Sequence, residues 1–313
     1  MAGEVTRVSV LLPLYNGEAY IREAVESVLA QTWRDFELLI LDDGSRDGSL
    51  AIVQEIARRD PRVRVISREN RGLTETLNEL LAAARGELVA RMDADDVCLP
   101  DRFERQLAFL DAHPEVVCVG GDPVMIDERG RLLTVLELPV EDAEIQAKAL
   151  VGHAPLFHPA AMIRRAALER IGGYRHEFWP AEDLDLWLRL GEIGALANLR
   201  GPVLRYRLHG ASVSGTQLER QRAAARRCCE SAWQRRGIRD GRFEASDAWR
   251  PGTDRLSQQR FLLRFGWWAF ASGQRGTALS YGWKAVCTLP LSLDGWRLLA
   301  CGLCKPMGPA TRA

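Results

Sequence analysis

Over its first hundred residues the chain alternates short apolar runs with stretches whose apolar positions recur at helical spacing. Residues 8–12 form a compact apolar run, broken by Pro13, Asn16 and Gly17. Tyr20, Ile21, Ala24, Val25, Val28 and Leu29 then share one helical face. A second run, 36–41, stops at Asp42-Asp43-Gly44-Ser45. Leu50, Val53, Ile56 and Ala57 mark the next helix, with Asp47 or Ser49 placed to cap it. Runs 63–66 and 88–92 read as further strands around a helix at 74–84. Wholly apolar strands alternating with helices predict a parallel sheet covered on both faces. Ligands of such sheets sit beyond the carboxyl ends of the strands. Asn16, Asp43 and Asp93 all fall just past such ends, so three motifs point at one crevice.

Beyond Pro100 the pattern loosens. A helix at 101–112, a strand at 116–120 and a less regular stretch lead to residues 153–159. A helix at 181–194 opens on Glu182-Asp183, and a strand at 203–208 closes the first part. The spacing then predicts a basic helix over 217–236, a linker over 239–252, and helical segments bounded by Gly273 and Pro290.

Charge changes this picture. The net formal charge is zero, which argues against nucleic acid as a partner. Up to Ser214, however, 25 Lys/Arg face 35 Asp/Glu, and from Gly215 onward 17 face 7. An acidic first part suits the collection of carboxylates around a cation, and a basic tail suits an anionic surface or partner. In the tail, Trp267, Trp268, Phe270, Tyr281, Trp283 and Trp296 are interleaved with arginines and Lys284. That mixture fits either a membrane interface or a helical hairpin whose aromatics serve as core or homodimer contact. Seven scattered cysteines do not form a disulfide framework, and Cys301-x-x-Cys304 reads as a reduced pair. Neither a signal-peptide pattern nor a run of roughly 18 uncharged apolar residues is visible, so the expected compartment is the cytoplasm.

The chemistry concentrates in a few clusters. Asp93-Ala94-Asp95-Asp96 places three carboxylates at a strand end, where they repel unless solvated or neutralised by a cation. Mg²⁺ or Mn²⁺ would take such oxygens together with a substrate diphosphate. No G-x-x-x-x-G-K-[ST] loop supplies another phosphate site. The plain alternative is a solvated acidic turn. Asp42-Asp43-Gly44-Ser45 has ordinary turn chemistry, as do Asn70 and Gly72. Glu182-Asp183 either complements a helix dipole or supplies a general base. His209 is either a strand-end histidine or a metal ligand.

The order and spacing of these clusters resemble the family 2 glycosyltransferases, inverting enzymes of the GT-A fold. The resemblance runs over roughly residues 6–214. It begins with VSVLLPLYNGEAYIREAVESVLAQTW, LLILDDGSRDGS and ENRGLTETLNELLAAARGELVARMDADD. It continues with FHPAAMIRR, IGGYR, AEDLDLWLRL and YRLHGASVS. It implies an α/β, Rossmann-like, mostly parallel sheet flanked by helices over 1–214, with a helical C-terminal extension over 215–313. It further implies a nucleotide diphosphate sugar, a UDP-sugar favoured, as donor and a glycan or lipid-linked acceptor.

By the same resemblance Pro13, Tyr15, Asn16, Asn70 and Arg71 would border the nucleotide, and Asp43 would bind the base. Asp93 would contact ribose or metal, with Asp95 and His209 as metal ligands for Mn²⁺ or Mg²⁺. Asp183 would be the catalytic base, with Glu182 beside it. His158, Trp179 and Trp187 would lie near the transferred sugar or acceptor. The chain lacks the Q-x-x-R-W signature and the spanning helices of the family's processive synthases, so a single-addition enzyme of surface-glycan biosynthesis is expected. A cytoplasmic enzyme of this kind would sit peripherally on the inner face of the membrane. Two rival classes are a sugar-phosphate nucleotidyltransferase, which should carry a Gly-rich basic loop near its first strand, and a silent nucleotide-sugar scaffold.

Overall fold

A computed structural model describes residues 6–209, 218–245 and 254–307. The chain forms two compact units and crosses between them several times, twice within a strand.

The first unit is built on β1 (Val8–Leu14), α1 (Ile21–Leu29), β2 (Phe36–Asp42), α2 (Ser49–Ala57), β3 (Val63–Ser67), α3 (Leu73–Ala83) and β4 (Leu88–Arg91). These strands pair in parallel in the order β3-β2-β1-β4, as their apolar runs require. Ile21, Ala24, Val25 and Val28, spaced i, i+3, i+4, i+7, are the buried face of α1. Pro13 does not break β1, which runs on to Leu14. Pairing with β4 stops at Leu11, so the missing proline N–H falls where β1 has a neighbour on one side only.

Past β4, where the apolar pattern loosens, antiparallel pairs enter the sheet. β5 (Val97–Cys98), α4 (Arg102–Ala112) and β6 (Val116–Asp127) come next, followed by β7 (Leu132–Val135) and α5 (Asp142–Leu150). β8 (Met162–Arg164), α6 (Arg165–Arg170), α7 (Glu182–Leu190) and β9 (Ala195–Leu208) then complete the sheet. β8 pairs antiparallel with β4 and β6, and β9 antiparallel with β5. The resulting order is β3-β2-β1-β4-β8-β6-β9-β5, with parallel pairs from β3 to β4 and antiparallel pairs at β4–β8, β8–β6 and β9–β5.

A buried arginine locks the joint between the halves. Arg102 donates to the carbonyls of Arg91 (3.0 Å), Pro159 (2.7 Å) and Ala161 (3.1 Å), and Gln106 to that of Ala160 (2.8 Å). These bonds serve four carbonyls of the β4 end and the 159–161 turn, of which Ala161 also accepts the Arg91 N–H at 2.9 Å. One apolar core runs from Leu11, Leu39 and Leu41 through Leu77 and Leu80 to Leu186 and Trp187.

The basic helix α8 (Leu218–Arg236) groups with this unit. Its small residues Ala224, Cys228, Cys229 and Ala232 are buried against Ala149 of α5 and Leu184 and Leu188 of α7. Arg236 reaches Gln146 and the carbonyl of Leu188. Charged side chains cover the other face, as a basic amphipathic helix packed on a core requires. The expected linker is tied down where it is described: Glu244 N–H bonds the carbonyl of Val151 at 2.9 Å.

Among the described residues the second unit holds 124–136, including β7 paired antiparallel with the end of β6, together with 206–209 and 254–307. The tail is three helices, α9 (Arg255–Ala271), α10 (Arg275–Thr288) and α11 (Leu293–Cys304). Phe261 and Tyr281 are buried, and the Tyr281 hydroxyl donates to Asp127 at 3.1 Å. All seven cysteines are free. Among the described residues no helix is long and apolar enough to cross a membrane. The boundary expected at 214/215 lies outside the described residues.

Candidate active site

The loops after β1 and β2 are laced together. Asn16 adopts a left-handed conformation, φ 50°. Its N–H donates to Ser45 Oγ (2.9 Å), and its Oδ1 accepts the N–H of Arg46 (2.8 Å). Asn is among the few side-chain residues that tolerate this region. Tyr15 beside it is exposed, whereas Pro13 is buried within β1.

Asp43 organises the next loop. Its carboxylate accepts the N–H groups of Arg71 (2.8 Å) and Gly72 (2.9 Å) and pairs with Arg68. Its carbonyl accepts the Asn70 side-chain amide at 2.9 Å. The residues expected around the nucleotide, Asp43, Asn70 and Arg71, are thus brought into one turn. Gly44 is required there: its φ is +76°, and a Cβ would lie 2.8 Å from the Asn70 nitrogen.

Just past β4, Asp93, Asp95 and Asp96 offer carboxylate oxygens that all lie within 4.8 Å of one another. Such a set of hard, anionic oxygens fits Mg²⁺ or Mn²⁺. Below it, Arg91 is fully buried and forms an ion pair with Asp93. Burial opposes the Arg91 charge, but Asp93, Tyr174 and Asp96 hold its pKa above the ordinary value.

Glu182 and Asp183 open α7, where carboxylates complement the helix dipole. Glu182 is buried and its Oε2 has no hydrogen-bond partner, whereas Asp183 is half-buried and accepts the Leu184 N–H at 2.7 Å. Burial raises both carboxyl pKa values; for Glu182 the charge of Asp183 adds to it. Asp93 raises both further and Arg91 lowers both, so all four groups lie within electrostatic reach of one another.

Of the residues expected near the sugar, His158 lies within electrostatic reach of Arg91 and packs on Trp187. His158 Nε2 is 2.9 Å from the Tyr174 hydroxyl, and its ring meets Trp187 edge-on at 5.8 Å. Burial and then Arg91 hold the His158 pKa well below its ordinary value, so the imidazole is neutral. Trp187 is buried, while Trp179 is half-buried with the Arg220 guanidinium 4.5 Å above its ring. His209 follows β9 directly and belongs to the second unit. Sequence reasoning missed Arg91, Arg68 and Tyr174. Arg91 left a signal, a lone charge inside the otherwise apolar run LVARM.

Comparison with known proteins accords with this geometry. The profile of Glycosyl transferase family 2 matches residues 9–172. The amylovoran biosynthesis glycosyltransferase AmsE of Erwinia amylovora is 35% identical over 203 residues, 64% of this chain and 75% of that one. Among solved structures, S. aureus TarS 1–349 in complex with UDP-GlcNAc superposes with a TM-score of 0.61 at 19% identity, covering 91% of this chain and 82% of that one. The mannosyltransferase PcManGT of Pyrobaculum calidifontis, in complex with GDP-Man and Mn²⁺, gives 0.53 at 22% identity, covering 95% and 79%. The fold is the GT-A-like mixed sheet of these structures, flanked by helices.

Proposed function

The chain belongs to glycosyl transferase family 2 and is a glycosyltransferase; on that premise we propose that it performs inverting, metal-dependent transfer from a UDP-sugar to an acceptor hydroxyl in surface-glycan biosynthesis. One observation carries this reading: three clustered carboxylates and the Glu182/Asp183 pair share an electrostatic environment around Arg91. PcManGT, solved with GDP-Man and Mn²⁺, supports the metal by analogy.

Asp93 and Asp95, with Asp96 beside them, would hold the divalent ion, which when bound supplies Lewis-acid stabilisation of a leaving diphosphate. Asp43 orders the 68–72 turn so that Asn70 and Arg71 can flank the nucleotide, and Tyr15 offers an exposed ring at the end of β1. Asp183 accepts the acceptor's proton as its oxygen bonds the anomeric carbon and the bond to the diphosphate oxygen breaks. A single displacement on the opposite face inverts that carbon and needs no protein nucleophile. Glu182, the more buried partner, keeps its proton more readily and leaves Asp183 the available base. His158, neutral and held by Tyr174, presents a polar wall to the sugar without adding charge. The role of His209 rests on the family resemblance alone.

Nucleotide release from a panel of UDP-, dTDP- and GDP-sugars, with and without chelator, tests this reading. UDP release that chelator suppresses and Mn²⁺ restores is expected. Release indifferent to chelator would remove the metal from the mechanism.

A further inference from the structure

The last helix is apolar on two opposite faces. On one, Gly295, Leu298 and Gly302 pack inward, and the fit is tight. A Cβ on Gly295 would lie 2.8 Å from Val286 Cγ2, one on Gly302 2.8 Å from Leu279, and one on Gly266 2.3 Å from Leu298. These contacts fix the rotation of α11 against α9 and α10, so its outer face cannot turn inward. On that outer face Leu293, Trp296, Ala300 and Leu303 fall within an arc of about 80° at helical spacing. Leu293 is 80% exposed, Trp296 47% and Leu303 68%. Leu291 in the preceding turn is 98% exposed. Gly282 of α10 lies against Leu299, which brings the next residue, Trp283 (58% exposed), to the same side. An apolar patch of this kind marks an interaction surface.

Charge indicates the partner. Residues 254–307 carry 7 Lys/Arg against 2 Asp/Glu. Arg297 is exposed at the edge of the outer arc, and Lys305 is exposed just past the helix end. Arg275 bonds the carbonyls of Gly302 and Lys305 at that same end. A two-fold contact between copies of this chain would crowd two sets of these cations into one interface. An anionic lipid surface attracts them, accepts the apolar side chains and suits two indoles at the water boundary. We propose that the outer face of the α10–α11 pair docks on the surface of an anionic phospholipid bilayer, with Trp283, Leu291, Leu293, Trp296 and Leu303 inserted and Arg297 and Lys305 at the headgroups.

The test uses the full chain and vesicles of phosphatidylcholine, alone or with phosphatidylglycerol, in a co-sedimentation assay. Binding to the anionic vesicles should exceed binding to the neutral ones by roughly tenfold or more and weaken with salt. W283S with W296S should lower it by a similar factor, and R297E with K305E should erase the preference for anionic lipid. Circular dichroism melts should match the wild type for both variants, since all four positions lie on the surface. Absent binding, equal binding to both vesicles, or binding unchanged in both variants would overturn the proposal. So would a dimer, measured by light scattering, that W283S with W296S dissociates while vesicles stay unbound.

Discussion

Arg91 and Asp93 form an ion pair in which the cation is fully buried and the anion reaches the crevice. The same guanidinium lowers the pKa values of Glu182 and Asp183 and of His158. One strand-end arginine thus sets the charge balance of both the acidic cluster and the proposed base.

Replacing Arg91 with Met should therefore do more than destabilise the fold. Without the cation, both α7 carboxyls hold their protons more tightly, so the acid limb of the pH–rate profile should move to higher pH. Turnover near neutrality should fall by roughly 10²-fold or more, as expected when a general base is lost. R91K, which keeps a charge, should leave the limb closer to wild type. A profile unchanged in R91M would disconnect Arg91 from the base.

The carboxyl pair should also imprint its own pH dependence on stability. Burial raises the folded pKa of Glu182 above its unfolded value, so the folded protein binds more protons between the two values. Stability must then fall as pH rises from the ordinary carboxylate range of about 4 through that raised value. E182Q removes the ionisation and should flatten this decline in melting temperature. D183N should keep donor affinity within about twofold while turnover drops by roughly 10²–10⁴-fold. A melting curve as steep in E182Q as in the wild type would assign the slope to other groups.

Asp95 is the cleanest probe of the cation, because it is half-buried and stands outside the Arg91 ion pair. D95A should abolish the Mn²⁺-dependent part of UDP-sugar binding in calorimetry. Donor binding that still responds to Mn²⁺ in D95A would refute the assignment.

How much of this was legible in sequence depended on element length and on local punctuation. The four parallel strands and three helices up to β4 announce themselves because each strand is mainly apolar, interrupted only by single polar residues such as Ser9, Glu37 and Arg64, and each helix buries one spaced face. The apolar pattern marks β6 only as far as Gly120, since Gly121, Asp122 and Pro123 look like a turn; tertiary pairing carries the strand to Asp127. Gly201, at φ 84°, and Pro202 likewise hid the first half of β9. β8, three residues long, is too short to show any period. Asp43, Asp93, Asp95 and Asp183 were visible because turns and strand ends expose chemistry in the chain order. Tyr174 was not, because its pairing with His158 joins positions 16 residues apart through folding alone.

Gly44 links backbone geometry to nucleotide binding most directly. At φ +76° an alanine costs about 1–2 kcal/mol in local strain, and its Cβ would press on the Asn70 nitrogen 2.8 Å away. The 70–72 turn must then move away from Asp43, lengthening the bonds from Arg71 N–H and Gly72 N–H that now measure 2.8 and 2.9 Å. G44A should lower the melting temperature by a few degrees, in keeping with that strain. UDP affinity should drop by roughly tenfold, about 1.4 kcal/mol, because Asn70 and Arg71 leave their positions together. Turnover at saturating donor should change far less, since Asp183 and the Asp93–Asp96 cluster stand on other elements. A mutant that melts earlier yet binds UDP like the wild type would show that the Asp43 turn serves the fold and not the nucleotide.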